Sequence, residues 1–240
     1  MRPSFIQAFF ATSLLSTCAL AVDKTINPDL VAKLRSAATN LDRLALLPDD
    51  EDWTFDFNNQ SNSHYQPGGV VNANAATFPA VIGNGMTMAI LNLGPCSMLP
   101  PHLHPRASNY VVAVHGTTQT YMIAENGART VSALLSPGQM TIFPQGAIHT
   151  MFNTGCDNAQ LVSALSSEDT GTMNLVNGLY QFGDEDADLV NAAFGYQNVV
   201  GKGSEGKVPA VGSGSVFGKK QCLEKCKGVK AGDTWGMRAQ

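Results

Sequence analysis

The stretch PPHLHPRASNYVVAVHG, Pro100–Gly116, decides how the rest of the chain is read. Residues two apart in a β-strand project from one face, so His102 and His104 point the same way. Pro100, Pro101 and Pro105 fence the pair and reduce the entropy lost in fixing it. Inside a barrel both imidazoles aim at one spot, where they can share a metal ion. Exposed His-x-His pairs also arise by chance, so the pair needs a partner elsewhere. Asn109 follows, at a place where a metal site would welcome a carboxylate.

The partner is in PGQMTIFPQGAIHTMFN, Pro137–Asn153, which runs from a turn through an apolar strand to His149. Should that strand lie beside the first, His149 becomes a third ligand. The surroundings are strand-like from about Gly69 to Leu175. Runs such as MTMAILNL, TQTYMIA, RTVSALL and AQLVSALSS alternate with turns at Gly83-Asn84-Gly85, Glu125-Asn126-Gly127 and Ser136-Pro137-Gly138. Asn126-Gly127 between two such runs is a hairpin signal. Short strands at a spacing of roughly 8–12 residues predict an all-β sandwich or barrel.

The residues in these two stretches resemble the two motifs of the cupins, as found in germins and germin-like proteins. Gly94, His102-x-His104 and Gly116 are similar to the first motif. Gly138, Pro144-x-Gly146, His149 and Asn153 are similar to the second. PPHLHPRAS, NTGC and SSEDTG bring the likeness closer to the spherulin-like secreted proteins of fungi and slime moulds, over about Phe57 to Tyr196. The resemblance implies a double-stranded β-helix, or jelly-roll barrel, with one divalent metal in its mouth. It implies His102, His104 and His149 as ligands, and it puts Asn109 at the fourth position, where germins have glutamate. It also implies manganese, and trimers or hexamers assembled through the barrel and C-terminal helices.

Asn109 departs from that pattern. An amide has a carbonyl oxygen but no charge, and binds a divalent ion more weakly than carboxylate does. Three neutral imidazoles with a poor fourth ligand suit copper, zinc, iron or nickel better than manganese. Glu125 is the nearest substitute carboxylate, but it sits at a hairpin turn; a site that has lost its metal and kept the fold is the remaining alternative. His64, in a polar loop, and His115, before a turn, are expected to be ordinary imidazoles. Met98, Met140, Met151, Phe143 and Phe152 are expected to be packing and barrel wall.

The N-terminus has the architecture of a secretory signal over residues 1–21: Arg2, the apolar run FIQAFFATSLL, then the small-x-small site Ala19-Leu20-Ala21. Its apolar core is shorter than the roughly 20 residues a membrane span needs. The product is expected to be secreted, extracellular or wall-bound, and free of the membrane once cleaved. Cys96, Cys156, Cys222 and Cys226 then remain. An even number in an exported protein suggests disulfides; of three pairings, Cys96–Cys156 with a local Cys222–Cys226 staple is favoured. Asn59-Gln60-Ser61 is a glycosylation sequon in a polar loop. A net charge of −4 argues against nucleic acid as a partner, since phosphate binding needs a basic face.

Residues 22–55 are expected to form a helical extension. Asn27 caps Pro28, and Leu30, Leu34, Leu41 and Leu44 recur as the packing stripe of one helix to Leu46. The barrel occupies 56–200 with a C-terminal helix near Asp186–Phe194, and 201–240 is a flexible linker and stapled tail. Two functions compete. One is a metal-dependent oxidoreductase of the oxalate oxidase or superoxide dismutase type, which the resemblance implies, acting on a small molecule. The other is a non-catalytic wall, spore-coat or stress protein. A module binding a sugar or another small molecule is a third.

Overall fold

Alternation builds the barrel. Along Ala159–Leu165 every second side chain is buried, the pattern of a strand with one face on a core. The computed structural model describes residues 23–197 and 214–227. The expected signal segment, most of the expected linker and the last residues of the chain lie outside them.

Strands β1 Gly68–Ala73, β2 Thr87–Leu93, β3 Ser97–Met98, β4 His102–Leu103, β5 Asn109–His115 and β6 Thr118–Ile123 are followed by six more. These are β7 Val131–Leu135, β8 Met140–Phe143, β9 Ile148–Asn153, β10 Ala159–Leu165, β11 Met173–Asn174 and β12 Val216–Phe217. One antiparallel sheet runs β1-β2-β10-β5-β8. The other is built on β9, with β6 and β7 on one side and β3 and β4 on the other. β3 and β4 are one strand broken at Pro100-Pro101, since proline has no N–H to give a ladder. The architecture is the expected all-β jelly roll with short helices. Leu91, Val111 and Leu161, each 3% exposed or less, lie in the core between the sheets. Each contributes about 1.5–3 kcal/mol.

Close approach explains the motif glycines. A Cβ on Gly94 would sit 2.0 Å from the Tyr65 carbonyl oxygen. Gly116 has φ +66° and lies against Ala159, so a side chain there meets strain and a neighbour together. Asn153 ties the same end of the barrel. Its Nδ2 donates to the carbonyls of Leu93, Gly94 and Asp157 at 2.7–3.1 Å, and its Oδ1 accepts from Gly155 N at 2.9 Å.

The outer face of the first sheet is apolar. Register aligns Met88, Ala164, Tyr110 and Ile142 in one row and Ile90, Val162, Val112 and Met140 in the next. Met140 is therefore 53% exposed on this face and not a core filler.

The N-terminal extension is two helices, not one. α1 Pro28–Ser36 is capped by Asn27 as expected, with Asn27 Oδ1 accepting from Leu30 N. α2 Asn40–Ala45 starts afresh at Thr39, whose hydroxyl forms a capping box with Asp42. The box satisfies free N–H groups that a continuous helix would have paired internally, and the break leaves Leu41 75% exposed while Leu34 is buried. α3 Leu175–Glu185 and α4 Ala187–Ala193 follow the barrel, and Asp186 caps the second.

The cysteine pairing differs from the expected one. The bridges are Cys96–Cys222 and Cys156–Cys226. Cys222 and Cys226 lie one turn apart on α5 Lys220–Cys226, so both sulfurs leave the same helix face. That face meets the barrel where Cys96 N bonds to Gly155 O, beside Cys156. Each helix cysteine reaches a barrel cysteine, and the tail is stapled to the barrel instead of to itself. β12 adds to the same attachment by pairing with β3.

Candidate metal centre

The broken strand sets the site. β4 places His102 opposite His149 of β9, and His104 follows just past the strand end. The ring centroids are 4.3 Å apart for His102 and His149, 5.3 Å for His102 and His104, and 5.2 Å for His104 and His149. One ligand atom from each lies within 4.8 Å of the others, and all three rings are buried. The structure thus brings together the three histidines that the spacing singled out.

The backbone fixes their tautomers. His102 Nδ1 bonds to Pro100 O at 2.7 Å, His104 Nδ1 to Gly171 O at 2.7 Å, and His149 Nδ1 to Ala147 O at 2.9 Å. A carbonyl only accepts, so each Nδ1 carries the proton and each Nε2 keeps a lone pair. That is the outer-shell arrangement which orients metal-binding imidazoles. His149 Nε2 is buried with no hydrogen-bond partner, an atom whose desolvation only a ligand would offset. Phe143 stacks on the His149 ring at 4.2 Å and 13°, holding its plane.

Burial keeps these rings neutral. Desolvation is the largest cause at all three positions, and it pushes His149 down to about 4. His102 lies well below the ordinary imidazole value, lowered further by His149 and His104. Neutral imidazole is the form that binds metal. The metal-free fold has a signed consequence. The unfolded chain takes up protons as pH falls below 6.5, while folded His149 resists until about 4. Protons then favour unfolding across that window, so stability is greatest above pH 6.5 and declines towards pH 4. Thermal midpoints of chelator-stripped protein at pH 7.0, 5.5 and 4.5 should fall in that order. A flat profile would contradict buried neutral histidines.

A cavity of about 280 Å³ opens against the centre and is lined by His102, His104 and Asn109 among others. Asn109 begins β5, is 2% exposed, and its Oδ1 is unpartnered. Glu125 lies exposed in the β6–β7 turn and brings no carboxylate to the site. Among the described residues, the one other converging group is Cys96, Cys222 and Cys226, whose sulfurs are engaged in disulfides. His64 is exposed, as expected of a loop imidazole, yet it lines the rim of this cavity, as does Asp23, which accepts from Asn72 and Asn74. Loop composition alone gave no sign of either. His115 is half-buried. Asn59 is exposed.

Comparison with known proteins gives a consistent picture. Residues 55–200 match the family model for Cupin. The chain is 36% identical to Spherulin-1A of Physarum polycephalum over 156 residues, 64% of this chain and 63% of that protein. Spherulin-1B of the same organism is 30% identical over 206 residues, 85% of this chain and 81% of that protein. Germin-like protein 9-1 of Oryza sativa subsp. japonica is 37% identical over 123 residues, and the match spans about half of each, 50% and 49%. A structure of oxalate oxidase in complex with the substrate analogue glycolate shares the fold, with TM-score 0.57 and 21% identity over 62% of this chain and 77% of that one.

Proposed function

Because this chain belongs to the cupin family, we propose that it is an exported germin- and spherulin-like protein holding one divalent metal ion on His102, His104 and His149. The observation that carries this reading is the convergence of three buried imidazoles whose Nδ1 atoms are all tied to carbonyls. Export accounts for the signal-like N-terminus and for two disulfides, which oxidising compartments maintain. The sequon at Asn59 lies on the surface, where a glycan would be tolerated.

When bound, the ion supplies Lewis-acid or electron-transfer chemistry to a small oxygen-bearing molecule at its open positions. The chain supplies the rest. Phe143 and the three carbonyl contacts hold the rings in place. Leu91, Leu99 and Met151 line the cavity and limit water. Oxalate oxidase and superoxide dismutase are the germin-type activities this arrangement calls to be assayed.

The neutral donor set favours zinc, copper, iron or nickel over manganese. Asn109→Glu tests that. A carboxylate in place of the amide should raise manganese affinity at least about tenfold, as hard oxygen donors suit manganese. Titration with manganese of both proteins checks it. Equal affinities would remove Asn109 from any part in metal selection. A non-catalytic wall or coat role is the second reading; the two staples and the uncharged fourth position favour it. Metal-loaded protein without turnover in either assay would select it.

A further inference from the structure

We propose that Asn109 and Ser163 form a recognition pair for a hydroxyl-bearing oxygen chelator of at most one negative charge, the 2-hydroxycarboxylate class. The inference rests on the metal reading above and goes beyond it, by naming what the cavity takes. Among the described residues, two unpartnered buried atoms belong to residues of the cavity lining: Asn109 Oδ1 and Ser163 Oγ. Their residues are 2% and 1% exposed. Leaving such atoms unpaired is costly, and native proteins seldom do so without a ligand or a water.

The register explains why they do not satisfy each other. Asn109 faces Leu165 across β5 and β10, and Ser163 faces Val111. The two polar residues are therefore diagonal neighbours, roughly 7–8 Å apart, and neither atom bonds the other. That spacing suits two groups of one small ligand. The amide oxygen only accepts, so the ligand must offer it an O–H or N–H. The serine hydroxyl can donate to a carboxylate oxygen or accept from a hydroxyl.

Charge narrows the class. No lysine or arginine among the described residues lines the cavity; its one carboxylate, Asp23, is already held by Asn72 and Asn74. A dianion such as oxalate would find the metal as its sole cationic partner, and it has no proton to give Asn109. Apolar walls from Leu91, Leu99 and Leu165 leave room for a small alkyl substituent. A bound 2-hydroxycarboxylate would donate a hydrogen bond from its hydroxyl to Asn109 Oδ1 and accept one from Ser163 Oγ.

Calorimetric titration of zinc-loaded protein with lactate and with oxalate tests this. In Asn109→Leu, lactate affinity should fall about tenfold, the scale of one lost hydrogen bond, while oxalate affinity holds within twofold. In Ser163→Ala, lactate should also weaken about tenfold. The thermal midpoint of metal-free protein should stay or rise, because the variant removes an unpaired buried hydroxyl. Equal weakening of both acids in Asn109→Leu, or no weakening of lactate in either variant, would overturn the pair. Loss of zinc from Asn109→Leu would make Asn109 a metal ligand and overturn it too. Failure of the unsubstituted protein to hold zinc, copper, iron, nickel or manganese would sink the metal reading first, and this inference with it.

Discussion

His149→Ala should lower metal content from about one ion per chain to near zero after dialysis. Outer-shell partners of metal ligands cost 10–100-fold in affinity when lost, so removing a ligand should cost more than about a hundredfold. The variant should still fold. The histidine it removes is 2% exposed and carries an unpaired Nε2, so the lost packing against Phe143 is partly offset by the lost desolvation cost. Any superoxide removal or peroxide production should disappear in parallel with the metal. Elemental analysis of matched preparations checks both points. Full metal retention in the variant would mean that the ion sits elsewhere.

The second large effect concerns the tail. Cys96–Cys222 closes 126 residues of sequence and Cys156–Cys226 closes 70. Replacing Cys96 and Cys222 together by serine should cost about 2–5 kcal/mol, since loops of this length lose substantial chain entropy when bridged. At roughly 2–4 °C per kcal/mol for a chain of this size, the thermal midpoint should drop by about 4–20 °C. Cys96 is fully buried, so a serine hydroxyl there adds its own desolvation cost. Non-reduced peptide mapping should recover the crossed pairs. A Cys222–Cys226 peptide would refute them.

How much of this was legible in the residues follows from the range of each signal. Runs of strand-forming residues bounded by turns are a local signal, and they located β2, β5, β6 and β10 closely. The three site histidines were legible because His102 and His104 sit two apart and His149 stands in a second strand after a turn. Their register, His102 against His149, was not, since pairing across the barrel is set by non-local packing. Ser163 was hidden for the same reason. One serine in AQLVSALSS looks like a solvent-facing position until the register turns it inward. The helix break at Thr39 was missed because the leucine spacing continues through it, although Thr39 and Asp42 carry the capping signature. The disulfide pairing was misjudged by favouring short sequence distance, whereas a helix face presents both thiols outward together.

Everything functional depends on three imidazoles sharing one ion. X-ray absorption at the edge of whichever metal co-purifies reads that directly. The expected spectrum shows three imidazole nitrogens at about 2.0–2.1 Å, the range for zinc and similar ions. A shell with fewer than three imidazoles, or one dominated by sulfur, would contradict the account.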